Sequence, residues 1–188
     1  MKEKKCSWII LCSFFVCFCF FQPLWAEKRV ERGNDIVSVI RHGVRNDGSV
    51  IGSELNELVV RSYGKTLYFP VGTYNLSEPI ILPYDYTKNV NIVFDKNALI
   101  KTDLPLEALL KVGYSEMSTP DVTHRRFSYI EGGMFDCYNV ENGIMVNGLK
   151  QLVSLKSISL FKGRNTHIRI SVTDDFRGTG SSDTKIDN

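Results

Sequence analysis

Residues 65–80, KTLYFPVGTYNLSEPI, constrain the fold of this chain more than any other stretch. Two short β-prone runs, at 66–69 and 73–76, are separated only by Pro-Val-Gly. A three-residue connection that contains glycine can close a hairpin. It can also form a corner, at which the chain bends from one sheet into another and continues to wind in the same direction.

The residues of this connection favour the corner. Pro70 has no N–H to donate, so it ends a strand that pairs through its backbone. Gly72 supplies a backbone conformation that residues with a side chain resist. Alternation along the second run then places Tyr74 and Leu76 on one face of the following strand.

Residues 53–64, SELNELVVRSYG, predict one helix. Ser53 is a suitable N-cap, and Gly64 can adopt the left-handed conformation that ends a helix. The apolar residues at 55, 58, 59 and 63 share one face. A helix of about ten residues does not persist alone, so we expect it to pack against the rest of the chain.

The remaining chain consists of short β-prone runs separated by Asn, Asp, Gly and Pro. The predicted strands are 36–40, 66–69, 73–76, 90–94, 99–102, 127–131, 144–146, 152–160 and 167–170. The least regular segment, 103–126, predicts a short helix at 106–112 and a loop at 115–123. Because helices and strands do not alternate, a doubly wound α/β sheet is disfavoured.

Two pairs of isoleucines indicate a repeat. Ile130 lies 28 residues before Ile158, and Ile144 lies 24 residues before Ile168, each in a comparable place in its run. A period in the twenties is typical of the stacked coils of a β-solenoid. A β-sandwich is the alternative on this evidence.

The first 26 residues have the parts of a secretory signal peptide. Three lysines and one glutamate precede an apolar run at 8–21, and Ala26 is a small residue at the expected cleavage point. The run is shorter than the roughly 20 residues that cross a membrane, and an uncleaved anchor is the alternative. We therefore expect a signal peptide at 1–26, a flexible lead-in at 27–35 and one domain at 36–188. The protein would be secreted, periplasmic or on the cell surface, with no stable membrane span after cleavage.

Cleavage would leave a chain with balanced charge. The sequence has 23 basic and 21 acidic residues, and 20 of each stay when residues 1–26 are removed. This balance gives no reason to expect a nucleic-acid partner. Four of the five cysteines lie in the leader, so Cys137 alone predicts neither a disulfide nor a Cys/His metal site. We expect Cys137 to be a small buried side chain.

Three segments carry a resemblance to a known family: SVIRHGVRNDGSVIG with the helix after it, TLYFPVGTYNLSEPI, and YIEGGMFDCYN at 129–139. Their order resembles the N-terminal coils of the pectate lyase-like superfamily. The resemblance covers most of residues 36–170. It implies an all-β fold, a right-handed parallel β-helix with a short N-terminal capping helix. The tail at 174–188 reads as the lead into another coil, so we expect a solenoid that is truncated at its C-terminus.

The resemblance also implies a carbohydrate-active protein that acts on or binds an acidic polysaccharide. If it is an enzyme, it would be a polysaccharide lyase or a glycoside hydrolase. The resemblance allows Ca²⁺ as a cofactor, although the residues themselves indicate none. The Asn-x-Asp, Gly-Asp-Asp, Gly-His-Gly and Arg-x-Lys motifs of polygalacturonases are absent from their expected context. The alternatives are a non-catalytic glycan-binding or adhesive β-helix and an inactive remnant.

Candidate catalytic residues are Glu131, Asp136, His167 and Arg169. Glu131 and Asp136 form a carboxylate pair that could supply acid and base or nucleophile in glycoside cleavage. The alternative is that Asp136 caps a turn. His167 and Arg169 alternate with isoleucines, which directs both to the outer face of a strand.

Candidate ligand-binding residues are Arg125, Arg126, Lys156 and Arg169. They belong to a segment, 122–170, with seven basic and three acidic residues. A basic stripe of this kind can bind uronate carboxylates, and Arg or Lys can act as the base of a lyase. An ordinary solvated surface is the alternative. No metal-binding residue is predicted.

Overall fold

Short strands form most of the described chain, and most of the turns between them contain Gly, Pro, Asn, Asp or Ser. The computed structural model describes residues 36–115, 128–147, 152–171 and 184–187. The strands are β1 (Ile36–Ser38), β2 (Asp47–Ile51), β3 (Thr66–Phe69), β4 (Gly72–Leu76), β5 (Ile80–Pro83), β6 (Asn91–Phe94), β7 (Ala98–Lys101), β8 (Leu106–Ser115), β9 (Ser128–Glu131), β10 (Met134–Asp136), β11 (Val140–Asn147), β12 (Val153–Lys156), β13 (Ser159–Phe161), β14 (Thr166–Ser171) and β15 (Lys185–Asp187). With one α-helix, α1 (Glu54–Arg61), this part of the chain is all-β. The predicted signal peptide and lead-in, and Arg125 and Arg126, lie outside the described residues.

The strands form three parallel sheets, which consecutive strands enter in rotation. The six-stranded sheet has the order β1-β3-β6-β9-β12-β15, the five-stranded sheet β13-β10-β7-β4-β2, and the four-stranded sheet β14-β11-β8-β5. Each pairing between described strands is parallel. From β3 onwards the chain visits the three sheets in turn, and we call one such pass a round. The antiparallel layers of a β-sandwich are therefore excluded for these strands.

The Pro-Val-Gly connection is a corner, as its residues predict. β3 pairs with β1 and β6, whereas β4 pairs with β2 and β7 in another sheet. Gly72 has a φ of 151°, and a Cβ at this position would lie 2.5 Å from the backbone oxygen of Asn46. Asn46 also donates from Nδ2 to the carbonyl of Val71 at 2.9 Å. Both Tyr74 and Leu76 are buried.

The strand register confirms one of the two repeat predictions. Ile144 and Ile168 are direct partners on β11 and β14. Ile130, however, lies opposite Leu155 instead of Ile158. The predicted strand at 152–160 is in fact two strands, β12 and β13, in different sheets. The chain turns between them at Ser157, which has a left-handed φ of 52°.

The prediction of a helix at 106–112 is wrong. This segment belongs to β8, which pairs with β5 and β11. Leu106-Glu-Ala-Leu-Leu-Lys contains strong helix formers, but pairing on both sides overrides local propensity. Ala108, Leu109 and Leu110 are fully buried there. Strands β2, β5, β10 and β15 were not predicted. The expected strand at 36–40 is present only as β1, and a 3₁₀-helix, Val39–His42, follows it.

Helix α1 follows β2, at the point where later rounds place a strand in the four-stranded sheet. Leu55, Leu58 and Val59 join the apolar core, as the helical spacing predicts. Ser53 occupies the N-cap position without a capping bond from its side chain. Gly64 has the predicted left-handed conformation, with a φ of 79°.

The core is one cluster of apolar side chains contributed by the helix and all three sheets. An aromatic stack runs through successive rounds: ring centroids lie 4.5 Å apart for Phe69 and Phe94 and 5.3 Å apart for Phe94 and Phe135. Cys137 is buried, as expected. Within the described ranges, no helix has the length and apolar character needed to cross a membrane.

Connections differ in length according to the sheets that they join. From β3 onwards, those from the six- to the five-stranded sheet are short, at 70–71, 95–97, 132–133 and 157–158, whereas the first one, at 39–46, is longer and contains the 3₁₀-helix. Those from the five- to the four-stranded sheet are also short, at 77–79, 102–105, 137–139 and 162–165. Those from the four- to the six-stranded sheet vary, at 84–90, 116–127, 148–152 and 172–184.

Candidate functional site

Three successive connections from the five- to the four-stranded sheet contribute to one surface groove. The groove has a volume of about 540 Å³, within the range of about 300–1,000 Å³ that is common for ligand sites. Its polar and aromatic lining consists of Glu107, Tyr138, Asn139, Glu141, Arg164 and Asn165. Because parallel pairing stacks the strands that follow these connections, the sequence-distant side chains meet at one edge.

Asn139 holds two of the connections together. Its Nδ2 donates to the carbonyl of Thr102 at 2.9 Å, and its own carbonyl accepts from the N–H of Leu106 at 3.2 Å. Both bonds join the connection before β11 to the one before β8. These two hydrogen bonds therefore fix the positions of two neighbouring connections that line the groove.

Tyr138 and Arg164 form the aromatic and cationic part of the groove. Tyr138 is 51% exposed, and the guanidinium carbon of Arg164 lies 4.1 Å from its ring centroid. Such stacking orients the planar guanidinium while its N–H groups stay free to donate. Within the part of the chain that the structure describes, no carboxylate lies within 4 Å of Arg164. Arg164 can therefore bind an anion of a ligand.

Two carboxylates line the same groove, and they differ in whether a cation lies beside them. Glu107 pairs with Lys111 at 2.7 Å, and Lys111 also lies 4.7 Å from the ring centroid of Tyr114. Glu141 is exposed, and among the described residues no cation lies within 4 Å of it. Counting only partners among the described residues, the groove has one unpaired cation, Arg164, and one unpaired anion, Glu141.

Asp136 lies beside this groove and supports it. Its Oδ2 is 2.7 Å from Nζ of Lys162, and its Oδ1 accepts from the N–H of Tyr138 at 3.2 Å. Asp136 therefore holds the backbone of one groove residue and a lysine two positions before Arg164. This is the turn-capping arrangement that was the alternative to a catalytic role.

Glu131 lies on the outer face of the six-stranded sheet, directly opposite Lys156. Their charged groups are 3.3 Å apart, and the hydroxyl of Tyr129 donates to the other carboxylate oxygen of Glu131. The Tyr129 hydrogen bond is the largest single cause that lowers the pKa of Glu131, and Lys156 lowers it further. The structure brings Glu131 together with Lys156, while Asp136 lies in another sheet with its own lysine.

His167 and Arg169 are exposed on β14, at the edge of the four-stranded sheet. Nε2 of His167 accepts from the N–H of Gly163 at 3.2 Å. Arg169 lies opposite Met145 on β11. Neither side chain lines the groove, and Arg125 and Arg126 lie outside the described residues.

Tyr138 and Arg164 were not among the candidate residues of the sequence analysis. Tyr138 belongs to a segment that was interpreted as a fold signal, and Arg164 was counted only within the basic stripe. Each stands two residues before a strand of the four-stranded sheet, before β11 and β14 respectively. An aromatic residue and an arginine at equivalent places in consecutive repeats are the signal that could have identified them.

The described residues contain no group of three or more His, Cys, Asp or Glu side chains that could hold a metal ion. They therefore offer no such set of ligands for the Ca²⁺ that the family resemblance allows.

Comparison with protein-family models, with curated proteins and with solved structures finds no match to this chain. The groove and its charges are therefore the basis for a functional proposal.

Proposed function

We propose that the protein is a secreted, right-handed parallel β-helix of pectate lyase-like type that acts on or binds an acidic polysaccharide. Binding without catalysis is the function that the groove supports best. The rotation of strands through three parallel sheets supports the β-helix. The leader at residues 1–26 supports export to the cell surface, the periplasm or the medium.

The stacking of Arg164 on Tyr138 is the observation that carries this proposal. A guanidinium that lies over an aromatic ring can donate two parallel hydrogen bonds to a carboxylate of a uronic acid. The half-exposed tyrosine offers an apolar ring with a hydroxyl beside it, a surface suited to a ligand that is both apolar and polar. The groove crosses consecutive rounds, so it can accept a segment of a polymer.

The two candidate catalytic carboxylates, Glu131 and Asp136, support binding over hydrolysis. A general acid must hold a proton near neutral pH, which requires a raised pKa. The pKa of Glu131 is instead lowered, and the carboxylate lies beside Lys156. Asp136 is engaged by Lys162 and by a backbone N–H. Neither arrangement favours proton donation to a glycosidic oxygen.

The test is isothermal titration of the full secreted chain with hyaluronan, polygalacturonate and neutral dextran. We expect binding to at least one acidic polymer and none to dextran. Arg164→Ala should weaken binding by about tenfold or more, because hydrogen bonds between charged groups contribute about 1.5–3 kcal/mol. The matched control is Arg41→Ala, an exposed arginine outside the groove, which should leave affinity unchanged.

Two results would contradict the proposal. One is equal binding of acidic and neutral polymers, and the other is an R164A variant that binds as well as the parent chain. The same incubations report on catalysis. Absorbance from unsaturated uronates, or new reducing ends, would support an enzyme instead of a binding protein.

A further inference from the structure

The groove combines opposite charges that do not neutralise each other. Glu141 is the second residue of β11, Arg164 lies in the connection between β13 and β14, and both line the same groove. Neither has an oppositely charged partner within 4 Å among the described residues. Two unpaired and opposite charges in one groove can each be satisfied by a ligand.

Two lysines beside the groove already have carboxylate partners. Lys111 is held by Glu107 at 2.7 Å, and Lys162 is held by Asp136 at 2.7 Å. Lys111 also lies over the ring of Tyr114, which further restricts its side chain. Glu141 therefore presents its negative charge to whatever enters the groove.

A polymer with a carboxylate on every sugar is a poor match for this arrangement. One carboxylate could bind Arg164, but a second one near Glu141 would be repelled, because like charges across an interface disfavour the complex. A positively charged amino group near Glu141 would reverse the sign of that interaction. The pattern of charges thus discriminates between types of acidic glycan.

We infer that the groove binds a glycan that carries both carboxylate and amino groups, with the carboxylate on Arg164 and the ammonium on Glu141. This inference depends on the proposed glycan-binding function and specifies its ligand. The recognised unit is a uronic acid next to an amino sugar whose nitrogen is not acetylated.

The experiment compares three polymers by isothermal titration at one ionic strength with the full chain. The polymers are chemically de-N-acetylated hyaluronan, ordinary hyaluronan and polygalacturonate. We expect the de-N-acetylated polymer to bind most tightly and polygalacturonate least tightly. Glu141→Gln should weaken binding of the de-N-acetylated polymer by about threefold or more, since an exposed ion pair contributes up to about a factor of five. The same variant should bind polygalacturonate as well as or better than the parent chain.

Glu57→Gln is the matched control, because Glu57 is an exposed glutamate on α1 and outside the groove. It should leave all three affinities unchanged, and circular dichroism of both variants should match that of the parent chain. Equal or tighter binding of polygalacturonate would overturn the inference and leave the proposed function intact. Equal binding of the two hyaluronan forms would also overturn it, because the ammonium would then not be recognised. If none of the polymers binds, the proposed function itself fails.

Discussion

The side chain of Asn56 accepts a hydrogen bond from the backbone N–H of Ile81 at 2.9 Å. The same side chain donates from Nδ2 to the carbonyl of Pro79, also at 2.9 Å. One residue of α1 therefore satisfies a donor and an acceptor at β5, the edge of the four-stranded sheet. An edge with paired backbone groups does not recruit another strand.

Replacement of Asn56 by Ala should destabilise the fold by about 1–3 kcal/mol, because backbone groups at a partly buried edge lose their partners. Urea unfolding followed by circular dichroism measures the difference. Asn97→Ala is the control, since Asn97 lies exposed in the turn before β7. Equal stability of the two variants would show that water satisfies the edge of β5 as well as Asn56 does.

Gly72→Ala should destabilise the chain more than Gly43→Ala. Both glycines have positive φ, 151° and 88°, and side chains at such positions cost about 1–3 kcal/mol. Only at Gly72 would the added Cβ also overlap Asn46, at 2.5 Å, whereas nothing lies within 4 Å at Gly43. Denaturant midpoints of the two variants give the comparison. A smaller loss for G72A than for G43A would contradict the tight corner between β3 and β4.

The pKa of Glu131 should rise when either of its two partners is removed. The Tyr129 hydrogen bond is the largest single cause of the lowered pKa and Lys156 lowers it further, so Tyr129→Phe and Lys156→Gln should each raise it. An NMR titration of the Glu131 carboxyl measures both shifts. An unchanged pKa in either variant would show that the removed partner does not stabilise the carboxylate.

The same lowered pKa predicts how stability depends on pH. A carboxyl whose pKa is lower in the folded state stabilises the fold fully above its unfolded pKa, here near 4.5. The effect is lost as pH falls through the lower folded pKa. The difference in unfolding free energy between the parent chain and Glu131→Gln should therefore be constant above pH ~5.5 and shrink in acid. A difference that grows on acidification would contradict this assignment.

Cys137 should resist alkylation in the native protein. Burial raises the pKa of its thiol to about 11, so little thiolate forms at neutral pH. Treatment with iodoacetamide at pH 8, followed by mass spectrometry of the Cys137 peptide, should show labelling in urea and little without it. Rapid labelling in the absence of urea would contradict the buried position.

Local chemistry made part of this fold predictable. Strand β3 has the predicted bounds. Pro70 and Gly72 indicated the corner, because the missing N–H of proline and the backbone freedom of glycine act on the chain at those positions, whatever the distant residues are. The break at Ser157 was not predictable in this way, since serine has no particular preference for a left-handed φ. Strand β8 was missed because its helix-forming residues are overruled by partners distant in sequence.

The site was less predictable than the fold, because it depends on register. Tyr138 and Arg164 are 26 residues apart and meet only after β11 and β14 align. Residue types alone pointed to Asp136 and Glu131, whose partners are lysines from the following round. Charge counting found the basic segment but could not tell which cations are already paired.

The uneven lengths of the connections have a practical consequence. Each described strand pairs only with strands of the preceding and following rounds, so residues added between the four- and six-stranded sheets need not disturb any ladder. The three classes of connection between sheets should therefore differ in their tolerance to insertion. A fluorescent reporter or an additional recognition loop is therefore best inserted in a connection from the four- to the six-stranded sheet. Tyr138 and Arg164 lie in a different class of connection, from the five- to the four-stranded sheet.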